Sequence, residues 1–255
     1  MRDQEIPIKN LTIDLKENDG HYSKSIFDRQ IKGIHIEHVV ISPDNTFMDY
    51  AQAGIKSLYL FFKGRGSIII ADNTYDAIPE SILLPNNLNQ FTIHTNKNDS
   101  LHYLKISSQL STEDLMDIKE FPKANTQQLY YTTFDNCQSY TEPIKSPNTI
   151  SRTILPNKYI PRIAMGTVKT KGPDKVGKHK HPMLEQLFLG LSENNCTVYA
   201  DGATQTLTEY SLLHIPLGST HSVEVAEGQT LYYVWMDFFL NKEGEQWLET
   251  HIVNE

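Results

Sequence analysis

At 255 residues the chain is long enough for one large β domain or two moderate ones, each with a proper core. Its 31 Asp and Glu outnumber 23 Lys and Arg, for a net charge of −8 and a pI near 5.7, and the basic residues are scattered, which argues against a nucleic-acid partner gripped through its phosphates. No apolar run approaches bilayer length, and the opening MRDQEIPIKNLTIDLKENDG lacks the apolar stretch of an export signal, so no membrane partner and a cytoplasmic location are expected.

Short runs rich in Val, Ile, Tyr, Phe and Thr, separated by Asn, Asp, Gly and Pro, recur along both halves and predict an all-β protein of sandwich or small-barrel type. In the first half they include Ser42-Pro43-Asp44, then SLYLFFKGRGSIIIADNTYDAIPESILLPNN from Ser57, then Leu101-His102-Tyr103. A short helix is predicted from Thr112 to Ile118, where TEDLMDI opens on a capping residue followed by acids. A polar stretch from Thr126 to Asn148 follows, and then the pattern starts again. Gly172-Pro173-Asp174 matches Ser42-Pro43-Asp44, Ala200-Asp201-Gly202 matches Ala71-Asp72-Asn73, and Pro216 matches Pro85. Leu231-Tyr232-Tyr233 likewise matches Leu101-His102-Tyr103, and a second short helix is predicted near Glu243 to Thr250. The offset stays near 130 residues, as two copies of one β module would give, divided here into 1–125 and 126–255. The two cysteines, Cys137 and Cys196, have no CxxC spacing, and Cys196 in NCTVYA reads as a buried core residue.

The chemical signal lies in the second copy. GKHKHPMLEQLFLG places His179, His181 and Glu185 together, and IPLGSTH adds Pro216, Gly218 and His221. Residues two apart on a strand share a face, so His179 and His181 can meet one ion. Glu185 keeps the same parity across a kink at Pro182 and can add an oxygen, while Pro216 and Gly218 suit a turn that returns His221 to the interior. Three imidazoles and a carboxylate suit a divalent transition metal, Mn, Fe, Zn or Ni. The plainer alternative is a solvent-facing histidine pair on a strand.

The two motifs, HxHxxxE and PxGxxH, resemble those of the cupin superfamily. What the resemblance implies is a pair of tandem jelly-roll barrels with a few short helices and one metal ion in the lumen of the second. The leading glycine of the family's first motif has no firm match, since Gly166, Gly172 and Gly177 are all imperfectly spaced, and Gly190 comes early. Aligning the copies places Ala51, Ala53, Ser57 and Gln90 opposite the four ligands, so the first copy is expected to be a degenerate barrel without metal. Its His35, His38, His94 and His102 fall at none of those positions.

Four protein ligands on a six-coordinate ion leave two positions for a small substrate with adjacent oxygens, such as a hydroxy-carbonyl, sugar acid or keto acid. Isomerase or lyase chemistry is expected. Dioxygenase chemistry with Fe(II) and a non-catalytic binding protein are the alternatives. Candidate catalytic residues are Asp237 and Tyr233 on one strand and Arg162 as an anion holder, with Tyr199, Gln186 and His214 behind them and Trp235 as a lumen wall. A homodimer is expected, to cover exposed strand edges.

Overall fold

The structure, a computed structural model, describes residues 5–16 and 19–249. Strand after strand alternates an inward apolar side chain with an outward or sheet-covered one, and the inward sets form two separate cores. One unit comprises Ile13–Asn136 with Lys158–Pro161, and the other Met1–Thr12, Cys137–Asn157 and Arg162–Glu255. Each is built from a larger and a smaller antiparallel sheet enclosing its core.

In the first barrel the larger sheet runs Tyr130–Thr133, Ser81–Leu84, Ile55–Lys63, Leu101–Gln109, Ile34–Ile41, His21–Ile26. The smaller runs Thr46–Tyr50, Gln90–Thr95, Gly66–Ile70, Asn73–Ala77. Phe61, Leu83 and Tyr103 from one sheet meet Ile68, Phe91 and Ile93 from the other. In the second barrel the larger sheet runs Ile8–Asn10, Ser211–Ile215, Leu184–Gly190, Thr230–Phe239, Ile163–Lys171, Ile150–Ile160, Ser139–Tyr140. The smaller runs Asp174–Lys180, Thr220–Val225, Asn195–Ala200, Ala203–Thr208, and Phe188, Leu213 and Tyr233 close over Val176, Val198 and Val223.

The division differs from a single cut after residue 125. Ile8–Asn10 pairs with Leu213–Ser211, so the chain start completes the second barrel, and Ile6 sits in that barrel's core. Tyr130–Thr133 pairs with Leu84–Ser81, so the first barrel extends past residue 125. One edge of each large sheet is thus paired by a segment from the other side of that cut.

Helices are short. Thr112–Glu120 is capped by Ser111, one residue before the expected start, because Ser111 and Asp114 exchange backbone hydrogen bonds in a capping box. Lys123–Gln127 follows it, and Lys242–Glu249 matches the second predicted helix up to Thr250, which lies outside the described residues. No helix among the described residues is long and apolar enough to cross a membrane. Cys196 is buried, and burial pushes its thiol up to about 12, which keeps it unreactive.

Two of the first barrel's histidines are buried side by side. His38 Nε2 lies 3.2 Å from His102 Nδ1, and burial, helped by the Lys63 ammonium, pushes His38 down to about 4. Because the folded pKa lies below the unfolded one near 6.5, the stability this pair contributes is complete above that value and is lost as pH falls toward 4. His38→Gln, which keeps a partner for His102, should flatten that acid limb in urea titrations between those two pH values. An unchanged slope would place the acid lability elsewhere.

Candidate metal centre

The histidines owe their position to a bulge. Asp174–Lys180 pairs with Thr220–Val225 so that Val176 faces Val223 and His179 faces His221, leaving one extra residue on the first strand. At this bulge the Gly177 N–H donates to the Ile144 carbonyl at 2.7 Å, and the Gly177 carbonyl accepts from His179 Nδ1 at 2.7 Å. On the facing strand, Gly218 takes φ +71 in the turn after Pro216, a conformation that favours glycine, and the His221 Nδ1 donates to the Ser219 carbonyl at 3.2 Å. Both rings therefore carry their proton on Nδ1 and turn the Nε2 lone pair inward.

Ligand-type atoms of His179, His181 and His221 all lie within 4.8 Å of one another. Burial, with the neighbouring His179, pushes His221 down to about 3, so it is neutral at physiological pH, and its buried Nε2 has no hydrogen-bond partner. Three inward imidazoles with an orphaned acceptor are what a divalent transition metal requires.

Glu185 is not in this cluster. It is held by His214, Nε2 to Oε2 at 2.8 Å, on the face of its sheet opposite to Phe188 and Leu213. Residues 182–183 form a turn rather than a kinked strand, and this shifts the inward parity by one residue. Gln186 is the residue that points into the lumen. Its Nε2 donates to Asp237 Oδ1 at 2.7 Å, which leaves Oε1 facing inward, buried and without a hydrogen-bond partner. The carbonyl oxygen of an amide can ligate a cation as a carboxylate does, without the charge.

A cavity of about 410 Å³ adjoins the histidines, walled by Val168, Phe188, Tyr233 and Trp235. Trp235 lies across Gly166, where a Cβ would stand 2.3 Å from the ring, so glycine is needed there. Asp237 also lines the cavity and is buried, and burial pushes its carboxyl up to about 7 against the opposing hydrogen bond from Gln186. Tyr233 lines it too, but burial holds its hydroxyl well above the usual phenol range and therefore protonated. Arg162 does not line it. It occupies the turn before Ile163–Lys171 with φ +62, and its carbonyl accepts from the Phe239 N–H at 2.9 Å. Tyr199 is exposed on the outer face with its hydroxyl on Glu224, and His214 is spent on Glu185. Sequence reasoning missed Lys145 and Glu142, which line the cavity from the inter-repeat stretch. Nothing in a polar linker marked them.

Solved structures share this architecture over nearly the whole chain. A cupin 2 conserved barrel domain protein from Leptotrichia buccalis superposes with a TM-score of 0.64 at 16% identity, over 93% of this chain and 98% of that one. Protein Ylba from E. coli gives 0.70 at 8% identity, over 94% and 93%. The chain has the cupin fold. An oxalate decarboxylase aligns with a TM-score of 0.61 at 11% identity, over 96% and 81% of the two chains. No family model and no curated protein matches the sequence.

Register shows what the first cupin barrel has at the equivalent place. Ile68 faces Ile93 as Val198 faces Val223, so Phe91 stands for His221, and Asp49 opposite it stands for His179. Tyr59 faces Leu83 as Phe188 faces Leu213, so Ser57 stands for Gln186 and Ser107 for Asp237. Thus Asp49, Ala51, Ser57 and Phe91 occupy the ligand positions, rather than Ala51, Ala53, Ser57 and Gln90, because the bulged strand upsets a constant sequence offset. Asp49 is already engaged: Lys105 Nζ donates to both of its oxygens, at 2.8 and 2.7 Å, and the Tyr59 hydroxyl donates at 2.9 Å. Lys105→Met leaves that buried carboxylate without its cation, and should destabilise the protein by about 3–5 kcal/mol in urea unfolding. The pair replacement Asp49→Asn with Lys105→Met should recover part of the loss. Equal stability of Lys105→Met and the native chain would remove the pair from the barrel's energetics.

Proposed function

We propose that the second cupin barrel binds one divalent transition metal through His179, His181 and His221, with the Gln186 amide oxygen as fourth ligand. On this reading the protein is a metal-dependent enzyme of isomerase or lyase type acting on a small oxygen-rich metabolite, such as a hydroxy-carbonyl, sugar acid or keto acid. The observation that carries the proposal is the convergence of three imidazoles at a cavity that also holds a buried carboxyl poised near neutral pH.

When bound, the ion supplies Lewis-acid polarisation of a substrate oxygen. The chain's own contribution is proton transfer. Asp237 is wholly enclosed, its Oδ1 accepts from Gln186, and a carboxyl near 7 is available in both acid and base forms. The same hydrogen bond orients the amide, directing Nε2 to Asp237 and Oε1 inward. Val168, Phe188 and Trp235 give the cavity apolar walls beside the histidines. Asp237 favours an enzyme over a binding module, because passive binding gains nothing from an acid poised in this range.

Replacing His179 and His181 together with alanine should abolish stoichiometric metal by elemental analysis. Gln186→Ala should weaken metal retention against a competing chelator by about tenfold, an effect in the range of ligand-shell changes, while Glu185→Gln should not. Metal loss in the Glu185 variant alone would restore the carboxylate as ligand. The reaction class can be read by NMR in D₂O, following exchange of the proton beside the carbonyl across a panel of keto and hydroxy acids. Asp237→Asn should retain metal and slow exchange by about a hundredfold or more. Absence of exchange in the native protein, with oxygen consumed by the iron-loaded form, would replace proton transfer by dioxygenase chemistry.

A further inference from the structure

The cavity beside the histidines is covered by residues 139–149, and this strap is tied to the histidine-bearing strand at several points. Lys145 bridges Val176, the Ile144 carbonyl accepts from Gly177, and Ser146 and Thr149 donate to the Asp174 carboxylate at 2.7 and 3.3 Å. Its other end, Ser139–Tyr140, pairs with Arg152 and Ser151. Held in this way, the strap presents Lys145 to a cavity whose walls are otherwise mainly apolar.

Among the described residues lining the cavity, Lys145 is the sole ammonium or guanidinium. Its side chain is 7% exposed, and its Nζ donates to Ser151 Oγ at 3.1 Å and the Tyr140 hydroxyl at 3.5 Å, with Glu142 Oε2 at 2.5 Å. The Tyr140 ring adds a cation–π contact at 5.0 Å. The ion pair is lopsided. Glu142 is 40% exposed, so its carboxylate can turn out into water at little cost, whereas Lys145 would be left as a buried charge.

We propose that Lys145 is the carboxylate-binding group of this cavity, and that Glu142 is a resident stand-in which an anionic ligand displaces. The exchange keeps the buried ammonium paired throughout, so a carboxylate enters without an uncompensated charge at any stage. A neutral ligand has no means of displacing Glu142 and gains nothing from Lys145. The ligand class is therefore a small carboxylic acid, and Lys145 is its specificity-determining residue. This assignment rests on the reading of the cavity as a substrate site, but not on the metal.

Calorimetry on the metal-free full chain, with pyruvate and its neutral counterpart pyruvamide as probes, tests it directly. Lys145→Met should weaken pyruvate about thirtyfold, as expected when one partner of a buried charge pair is truncated, with pyruvamide unchanged. Glu142→Gln removes the competitor and should tighten pyruvate severalfold, again without effect on pyruvamide. If Lys145→Met does not fold, as judged by thermal melting, the Glu142 variant decides the matter alone. Unchanged pyruvate affinity in either variant, equal loss of both probes, or no pyruvate binding by the native chain at millimolar concentration overturns the proposal. Metal content of the native chain, measured before the ion is stripped for calorimetry, keeps the two readings apart. A native chain that holds metal but shows no preference for pyruvate over pyruvamide sinks Lys145, and one that shows the preference but holds no metal sinks the ligand set.

Discussion

The second barrel is organised around bringing ligand-type atoms of three imidazoles within 4.8 Å of one another. Burial and the neighbouring His179 disfavour the charged form of His221, and a ring presents its Nε2 to the others only where its Nδ1 is held elsewhere. Backbone carbonyls do this for two of them. Gly177 serves His179 from within a bulge, and Ser219 serves His221 from a turn that Gly218 makes feasible. Without the bulge between Val176 and His179, inward parity would be lost by His179 and His181, so a single inserted residue aligns them with His221.

The first barrel fills the same space by a different principle. Asp49 stands where His179 does, and its charge is neutralised inside the protein by Lys105 and a hydrogen bond from Tyr59. Ser57 and Ser107, joined at 2.8 Å, repeat in miniature the link between Gln186 and Asp237. Asp49, Lys105 and Tyr59 satisfy one another there, although the buried Tyr103 hydroxyl beside them has no hydrogen-bond partner, whereas in the second barrel it is the ligand-type atoms His221 Nε2 and Gln186 Oε1 that remain open.

Much of this was legible in the sequence, and the failures have one cause. The duplication, the all-β character and the three histidines follow from strand periodicity and a glycine turn, which are local rules. The fourth ligand position depended on how many residues the turn after His181 consumes. No hydrophobic alternation could reveal it, because Leu184–Gly190 is covered on both faces: Leu187 and Leu189 are as buried as Phe188. Strand swaps were equally invisible. Ile8–Asn10 completes a sheet whose other strands begin about 130 residues later, a pairing that no local pattern encodes.

Replacing a carboxylate by Gln186 also changes the charge of the whole cavity. A ligand set of three imidazoles and an amide is neutral, so the proposed ion would keep its full double charge inside the barrel. Lys145 adds one positive charge, and Glu142 and Asp237 between them can supply at most two negative ones, the latter only when ionised. The site is therefore left with a positive excess that only an incoming ligand can cancel. A glutamate at position 186 would have removed that excess, and would also have set a second carboxylate against Asp237 Oδ1 where the amide now donates. The amide thus serves two ends at once: it lets Asp237 stay close to the imidazoles, and it leaves the cavity in need of an anion, which is the class of ligand that the strap's buried lysine is placed to receive.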